Sequence, residues 1–258
     1  MNILFTICGR AGSKGFQNKN LKEMNGVPLL YYTIAAIRLF MDNHKEDNII
    51  VALNTDSIQL QELVERQNII ENIFFIPRKI KLAGDIVAKV DVIKDTYLTF
   101  RPNKRFDVVI DLDITSPLRR VEDIERVLDK YLSDKSYDLV FSVVEARRNP
   151  YFNMVEEKAG GNYKKVCESV YTARQQAPNV YELNASIYAY RPEFLQSEIK
   201  KPILDYNYGI VQMPDFLVLD IDSERDFFMM EYLHRIYCKK EIGINLIYNM
   251  ASNCKRNA

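Results

Sequence analysis

The stretch NILFTICGRAGSKGFQNKN, residues 2–20, joins an apolar segment to a basic, glycine-rich turn. Residues 2–8 are mostly apolar and predict a strand buried on both faces, as in a parallel sheet. The turn after it holds three glycines together with Arg10, Lys14 and Lys19. Because parallel sheets bind ligands beyond the carboxyl ends of their strands, the turn is either a basic surface loop or a cradle for phosphate.

Beyond this stretch, apolar runs alternate with segments of helical spacing. Strands are predicted at 48–54, 72–77, 106–113 and 137–144, and helices at 28–40, 56–67, 87–100 and 121–133. This alternation predicts an α/β fold with a mainly parallel mixed sheet and helices on both faces. Residues 185–195 predict a further strand, and residues 216–237 predict a strand, an Asp-rich turn and a helix.

The alternation breaks down over residues 146–190. The pair Gly160-Gly161 predicts a hairpin there, followed by an irregular loop. The sequence contains no internal repeat and no low-complexity linker. We therefore expect one α/β domain over residues 1–258 that carries an excursion at 146–190.

Charge and hydropathy exclude several classes of partner. The 258 residues include 35 basic and 35 acidic side chains, so no global field attracts nucleic acid or a membrane surface. No run of eighteen apolar residues predicts a membrane span, and the N-terminus lacks the pattern of a signal peptide. These features favour a cytoplasmic protein.

Cysteine and histidine are too few and too scattered for a zinc site or a disulfide framework. The four cysteines show no CxxC spacing, and the two histidines, His44 and His234, lie far apart in sequence. This pattern is typical of reduced thiols in a cytoplasm. We interpret His234 as a packed or capping residue.

A second polar cluster, DLDITSPLRR at 111–120, follows the strand predicted at 106–113. Asp111 and Asp113 are two residues apart, so they share one face of a strand. One interpretation makes Asp113 or Ser116 a helix cap and Arg119 a solvated residue. The other places a carboxylate near a magnesium ion or a sugar hydroxyl.

A third cluster, LDIDSERDF at 219–227, repeats the pattern with Asp220 and Asp222. Two carboxylates on one face repel unless a cation lies between them, and oxygen ligands suit Mg²⁺. The alternative is that Asp222 or Ser223 caps the following helix. Together, one basic and two acidic clusters at strand ends predict a magnesium–nucleotide transfer site.

The chain resembles the acylneuraminate cytidylyltransferases, which make CMP-activated sialic, legionaminic and pseudaminic acids. The resemblance runs through nearly the whole chain in the family's order. It rests on GRAGSKG at 9–15, NKN at 18–20, TSPLR at 115–119, RQQ at 174–176, NASIY at 184–188 and DID at 220–222. It implies a Rossmann-like fold of the nucleotide-diphospho-sugar transferase type, and a homodimer in which the excursion closes over the partner's sugar site.

The resemblance also implies the reaction and the residues around the nucleotide. The anomeric hydroxyl of a nonulosonic acid would attack the α-phosphate of CTP, and pyrophosphate would leave. Arg10 and Lys19 would stabilise the phosphates, and Asp220 and Asp222 would carry Mg²⁺. The remaining candidates for the nucleotide are Gly12, Ser13, Lys14, Gly15, Asn20, Arg78 and Ala83.

On the sugar side the chain departs from the sialic acid enzymes. Asp113 stands where those enzymes have Gln, and Phe152 and Glu182 stand where they have cations. Arg147, Arg148 and Arg174 are available as replacements. The candidates for the sugar site are Asp113, Ser116, Arg147, Arg174, Gln175, Gln176 and Asn184. We therefore expect a relative of sialic acid, with legionaminic acid favoured over N-acetylneuraminic acid.

Three other functions remain open from the sequence. The first is a nucleotidylyltransferase that uses another nucleoside triphosphate or a sugar 1-phosphate. The second is a glycosyltransferase, since Asp111-Leu-Asp113 is similar to the Asp-x-Asp of that class. The third is a non-catalytic, nucleotide-binding regulatory module.

Overall fold

A computed structural model describes residues 1–12, 15–84 and 86–254 of the chain. Ser13, Lys14 and Asp85 lie outside the described residues, as does the segment 255–258. The elements are β1 (Asn2–Gly9), β2 (Glu23–Met24), β3 (Val27–Pro28), α1 (Leu29–Asn43), β4 (Asn48–Thr55), α2 (Ile58–Arg66), β5 (Ile73–Pro77), α3 (Lys89–Phe100), β6 (Val108–Leu112), α4 (Val121–Ser133), β7 (Leu139–Glu145), β8 (Val155–Lys158), β9 (Asn162–Lys165), β10 (Tyr181–Tyr190), α5 (Pro192–Gln196), β11 (Tyr208–Gln212), α6 (Glu224–Tyr237) and α7 (Ile242–Asn253).

The central sheet of the described chain has seven strands in the order β11-β7-β10-β6-β1-β4-β5. β1 pairs in parallel with β4 and β6, β4 with β5, and β7 with β11. β10 runs antiparallel to both of its neighbours, β6 and β7. The predicted mainly parallel mixed sheet is confirmed.

Helices cover both faces of this sheet because strand residues alternate between two hydrophobic cores. In β1, Phe5 belongs to the core under α1 and α4, while Leu4 belongs to the core under α3 and α5. In β4, Val51 and Ala52 divide in the same way. The sheet is therefore buried on both faces, so polar side chains that could bind a ligand are expected at the ends of its strands.

One predicted strand is wrong. Residues 216–220 form no strand: a short 3₁₀ turn, Asp215–Leu217, leads into an irregular segment up to α6. Leu217 and Ile221 are buried, but the Ile221 amide donates to the carbonyl of Thr115 (3.0 Å) instead of joining a ladder. The strand that completes the seven-stranded sheet is instead β11, which lies in a stretch where the sequence predicts no strand.

The excursion leaves the sheet after Glu145 and returns with β10 at Tyr181. Its first part is the predicted hairpin, β8 and β9, which turns through Gly160 (φ 86°) and Gly161 (φ 75°). Its second part contains the 3₁₀ turn Arg174–Gln176. No helix in the described ranges combines the length and the apolarity needed to cross a bilayer.

Candidate active site

A cleft of about 250 Å³ opens at the carboxyl ends of β1 and β6, where the sequence predicts a ligand site. Four parts of the chain form it: β1 and the turn after it, the segment from β5 into α3, the residues that follow β6, and Asp220. Its lining consists of Cys8, Arg10, Lys19, Asn20, Arg78, Leu82, Gly84, Val87, Lys89, Val92, Asp113, Thr115 and Asp220. Residues from the basic turn and from both acidic clusters thus meet in one cavity.

The turn after β1 is fastened to the loop that carries Asp220 and Asp222. Lys19 Nζ donates to the carbonyl of Ile221 (2.7 Å) and to Oδ1 of Asp222 (2.9 Å). A side chain at Gly15 would come within 2.9 Å of the Asp222 carbonyl, so only glycine allows this approach. The basic turn and the third cluster therefore form one structural unit.

Within the turn, Asn20 is buried and donates from Nδ2 to the carbonyl of Arg10 (3.2 Å). This bond holds the Arg10 backbone at the rim of the cleft. Gly12 has a φ of 68°, which a side chain would disfavour. The roles of Ser13 and Lys14 stay predictions on residues outside the described ranges.

The floor of the cleft contains an ion cluster that sequence reasoning missed. Lys89 Nζ lies 2.6 Å from Asp111 Oδ2 and 2.5 Å from Asp113 Oδ2. The buried Asp111 also accepts from the hydroxyl of Thr6 (2.7 Å) and the thiol of Cys8 (3.6 Å). Burial raises the pKa of the Cys8 thiol, and Asp111 raises it further, so the thiol stays protonated and donates.

Lys89 remains charged in this position. Burial lowers the pKa of Lys89, but Asp111 and Asp113 outweigh it and raise that pKa well above its ordinary value. In turn, burial raises the pKa of Asp113, and Lys89 and Thr115 outweigh burial and lower it to about 2. The sequence signal for this ion cluster was Lys89 itself, a charged residue at the start of the helix predicted at 87–100.

Asp220 lies beside the turn that follows β6. Its Oδ1 accepts from the Ser116 hydroxyl (3.3 Å), which also donates to the Asn184 carbonyl (3.1 Å). Burial raises the pKa of the Asp220 carboxyl, and the nearby carboxylate of Asp113 raises it further. This is the electrostatic setting in which a bound cation stabilises an ionised carboxylate.

The donor set of this loop fits Mg²⁺. In the described part of the chain, no three side chains of His, Cys, Asp or Glu converge as a metal cluster. Magnesium sites, however, often use one or two carboxylates and complete their coordination with phosphate oxygens and water. Asp220 and Asp222 place two carboxylates on one loop, not on the predicted strand face, and their role as Mg²⁺ ligands stays a prediction. Ser223, not Asp222, caps α6, accepting from the Asp226 amide (3.2 Å).

Arg119 is buried, so its interpretation as a solvated residue is wrong. Its guanidinium donates to the backbone carbonyls of Asp113 and Ser116 (2.6 Å for Ser116), which fixes the shape of the turn after β6. Burial lowers the pKa of Arg119 to about 10. The arginine of TSPLR thus supports the site from behind and does not line the cleft.

Arg78 and Ala83 belong to the segment between β5 and α3. Arg78 lines the cleft and donates to the side chain (3.0 Å) and the carbonyl (2.9 Å) of Asn54, which orients its guanidinium. Ala83 ends the 3₁₀ turn Ile80–Leu82, directly before the cleft residue Gly84. Both positions are compatible with contacts to a nucleotide.

Asn184 points into the protein interior. Its side chain is fully buried, accepts from the Ser142 hydroxyl (2.7 Å) and donates to the carbonyl of Leu217 (3.1 Å). These bonds tie β10 to β7 and to the segment before Asp220. The sugar contact expected of Asn184 stays a prediction, and the geometry gives this residue a supporting position.

The candidates on the excursion do not line the cleft. Arg174 donates to the carbonyl of Arg147, and Gln176 accepts from the amides of Thr172 (3.0 Å) and Ala173 (3.2 Å). Arg147, Arg174, Gln175 and Gln176 are all exposed. Their assignment to a sugar site therefore requires another molecule or a movement of the excursion, and it stays a prediction.

Comparison with known proteins finds relatives that match most of the chain. A family model described as cytidylyltransferase matches residues 4–234. The chain is 35% identical to the CMP-N,N'-diacetyllegionaminic acid synthase of Campylobacter jejuni subsp. jejuni, over 90% of this chain and 94% of the relative. The post-translational flagellin modification protein B of Campylobacter coli gives the same identity and coverage. The N-acylneuraminate cytidylyltransferase of Streptococcus agalactiae serotype V is 29% identical, over 88% of this chain and 52% of the relative.

The fold has solved counterparts. A CMP:2-keto-3-deoxy-manno-octonic acid synthetase complexed with CTP superposes with a TM-score of 0.63 at 15% identity, covering 91% of this chain and 99% of that one. A 4-diphosphocytidyl-2C-methyl-D-erythritol synthase from Anaerococcus prevotii gives 0.57 at 14% identity, with 90% and 96% covered. At these identities the likeness concerns the fold alone.

Proposed function

We propose a function from the premise that this chain belongs to the cytidylyltransferase family and is an enzyme of that kind. It transfers CMP from CTP to the anomeric hydroxyl of a nonulosonic acid and releases pyrophosphate. The observation that carries the proposal is the junction of the basic turn with the Asp220–Asp222 loop through Lys19. A triphosphate needs cations and metal-binding carboxylates within one site, and this junction supplies both.

In this mechanism the residues of the turn bind the nucleotide. Arg10 and Lys19 stabilise negative charge on the phosphates, and Asn20 maintains the backbone that presents Arg10. Asp220 and Asp222 would hold Mg²⁺, whose charge would offset the charge that develops on the phosphates. Arg119 keeps the turn after β6 in place, so that Asp113 faces the cleft.

The acceptor we propose is N,N'-diacetyllegionaminic acid in preference to N-acetylneuraminic acid. The name of the Campylobacter jejuni relative, with which this chain is 35% identical, supports this choice. The setting we propose is the cytoplasm, where CTP is available and thiols stay reduced.

Incubation with CTP, Mg²⁺ and a panel of nonulosonic acids tests the proposal, with CMP-sugar and pyrophosphate quantified together. We expect CMP-sugar formation with CTP and the highest kcat/KM for the diacetylated legionaminic acid. Equal turnover of N-acetylneuraminic acid would contradict the preference. Turnover only with another nucleoside triphosphate, or only with a sugar 1-phosphate, would contradict the cytidylyl transfer itself.

We also propose a homodimer that uses the excursion. The β8–β9 hairpin exposes Val155 (68%) and Tyr163 (67%), although strands favour such residues in packed positions. Light scattering after gel filtration should show a dimer, and Val155→Glu combined with Tyr163→Glu should give a monomer. Leu132→Glu on α4, also at an exposed apolar site, should leave the dimer intact. A wild-type monomer would contradict the assembly.

A further inference from the structure

Asp56 contacts the basic turn from the strand next to it. Gly9 and Thr55 stand side by side in the parallel register of β1 and β4, so the residues that follow the two strands are neighbours. Asp56 Oδ1 accepts from the backbone amide of Ala11 (2.8 Å). A carboxylate therefore lies against the turn that would bind a triphosphate, and the charge of the ligand does not explain it.

The backbone around Asp56 is fixed on both sides. Before it, the Thr55 carbonyl accepts from the Arg78 amide (3.0 Å). After it, the Ser57 hydroxyl caps α2 by accepting from the Leu60 amide (3.3 Å). The carboxylate of Asp56 is thus presented to the turn by the end of a strand and the start of a helix.

One peptide group of the turn is held at both of its polar atoms. This group joins Arg10 to Ala11. Its carbonyl accepts from Asn20 Nδ2 (3.2 Å), and its N–H donates to Asp56 Oδ1 (2.8 Å). Because a trans peptide is planar and its C=O and N–H lie on opposite edges, the two bonds together fix the rotation of the plane. The direction in which the Arg10 side chain leaves the backbone is fixed with it.

The reversed orientation of this peptide is disfavoured by charge and by sterics. Half a turn of the plane would bring the Arg10 carbonyl oxygen against the Asp56 carboxylate, and both groups are negative. It would also move Ala11 to positive φ, which a residue with a Cβ disfavours. Ala11 is not one of the three non-glycine residues with positive φ in the described chain. Asp56 and the Cβ of Ala11 thus select the same orientation.

The carboxylate approaches the turn from outside the cleft. Arg10 and Asn20 line the cleft, whereas Asp56 is not part of the lining that the described residues form. A carboxylate that merely occupied a phosphate position would lie inside the cleft and would leave when a nucleotide entered. The observed position favours a bond that persists when the nucleotide is bound.

We propose that Asp56 is a positioning residue for CTP: it holds the Arg10–Ala11 peptide in the orientation that presents Arg10 to the phosphates. The inference rests on the proposed function, because it assigns Asp56 to the binding of CTP in that reaction. Charge alone gives the opposite expectation, since removing a carboxylate beside a triphosphate should strengthen binding. The sign of the effect on CTP affinity therefore separates positioning from electrostatics.

Titration calorimetry with CTP and Mg²⁺, together with steady-state kinetics, measures this sign. We expect Asp56→Ala to raise both the Kd and the KM for CTP about 5- to 20-fold, as for one lost hydrogen bond to a charged group near solvent. The KM for the acceptor sugar should stay within about twofold of the wild-type value, and the Tm should not change. Unchanged or tighter binding of CTP by Asp56→Ala would overturn the inference.

Glu65→Ala is the matched control. Glu65 is an exposed carboxylate on α2 and is not part of the described cleft lining, so its removal should leave the Kd for CTP unchanged. A second comparison is Asp56→Asn, which keeps an acceptor of the same shape and should bind CTP within about threefold of the wild-type affinity. A loss in Asp56→Asn as large as that in Asp56→Ala would contradict positioning through the hydrogen bond.

Ala11→Gly tests the orientation of the peptide directly. It removes the steric barrier to the reversed orientation, but Asp56 still holds the observed one, so the single variant should have a small effect. Combined with Asp56→Ala, it should weaken CTP binding by more than the product of the two single effects, because neither device then remains. Independent effects of the two substitutions would overturn the inference.

The inference and the proposed function fail in different ways. If the wild-type protein binds CTP but transfers no CMP, the proposed function fails, and the Kd values of the variants still decide the role of Asp56. If the wild-type protein does not bind CTP, both fail.

Discussion

Lys19 Nζ lies 2.9 Å from Oδ1 of Asp222, so the first turn of the chain is held by a loop 203 residues further on. The same ammonium donates to the backbone carbonyl of Ile221, next to Asp222. The Ile221 amide in turn donates to Thr115, directly after β6. Lys19 thus connects the turn after β1 to the Asp220–Asp222 loop, which is itself bonded to the segment after β6, so the partners of Lys19 are the first places to test the site.

Asp222→Ala should lower CTP-dependent pyrophosphate release at least tenfold and raise the Mg²⁺ concentration needed for half-maximal rate. The variant removes a proposed metal carboxylate and also a partner of Lys19. The rate measured as a function of Mg²⁺ checks the prediction, with Asp129→Ala on the exposed face of α4 as the control. Full pyrophosphate release by Asp222→Ala would show that the metal assignment is wrong.

The Lys19–Asp222 pair should contribute little to stability. The Asp222 side chain is 77% exposed, and exposed ion pairs typically contribute about 0.2–1 kcal/mol. A double-mutant cycle of Lys19→Met and Asp222→Asn, followed by urea unfolding, measures the coupling. We expect a coupling in that range together with a clear rise in the KM for CTP in Lys19→Met. A coupling of several kcal/mol would mean that the variants lose activity because they unfold, and not because they bind CTP less tightly.

Asn184→Ala should destabilise the fold by about 2–4 kcal/mol, because it leaves a buried carbonyl and a buried hydroxyl with fewer partners. Chemical denaturation measures this effect. Ser186→Ala is a useful comparison, since the equally buried Ser186 hydroxyl has no hydrogen-bond partner among the described residues. A raised KM for the acceptor with unchanged stability would instead support the sugar contact predicted from the sequence.

Stability should fall as the pH drops from about 6.5 to about 4, in part because of His234. Burial lowers the pKa of His234 from 6.5 to about 4, so the unfolded chain binds the proton first. The stabilisation is complete above the unfolded pKa and is lost through this window, a change of about 3 kcal/mol. The free energy of unfolding of wild-type and His234→Gln protein, measured between pH 4 and 7, checks this prediction. If it depends on pH in the same way for both proteins, the prediction is contradicted.

His44 provides a control of opposite sign. Burial lowers the pKa of His44, but its hydrogen bonds with Glu125 (2.7 Å) and Asp47 (2.9 Å) outweigh burial and raise it. Its contribution is therefore complete below the ordinary value of 6.5 and is lost as the pH rises through the raised pKa. His44→Gln should remove a loss of stability on the alkaline side.

Regular alternation made most of the sheet predictable, since buried parallel strands form continuous apolar runs. The strand β11 was not predicted because it is short and contains a glycine. At this position, Gly209, a side chain would come within 3.1 Å of Tyr137 and Val140. The apolar residues around Leu217 suggested a strand at 216–220, but Leu217 and the neighbouring Ile221 fill the core from a loop. An apolar pattern indicates that residues are buried, but it does not indicate whether they form the backbone hydrogen bonds of a sheet.

The candidate site was predictable where its residues follow strand ends in sequence. Lys89 was not, because its partners Asp111 and Asp113 are more than twenty residues away and meet it only after α3 packs on the sheet. The burial of Arg119 was hidden for a similar reason, since its partners are backbone carbonyls, which a sequence pattern does not show.

The antiparallel strand in the middle of the sheet has a consequence for the order in which the chain assembles. β7 pairs with β10 and β11 but not with β6, so none of the sheet strands that precede it in the chain is its neighbour in the finished sheet. The native pairing of β7 is therefore completed only after the residues from 181 onward have been made. The excursion between β7 and β10 thus sets the length of that delay, whatever else it does in the finished protein.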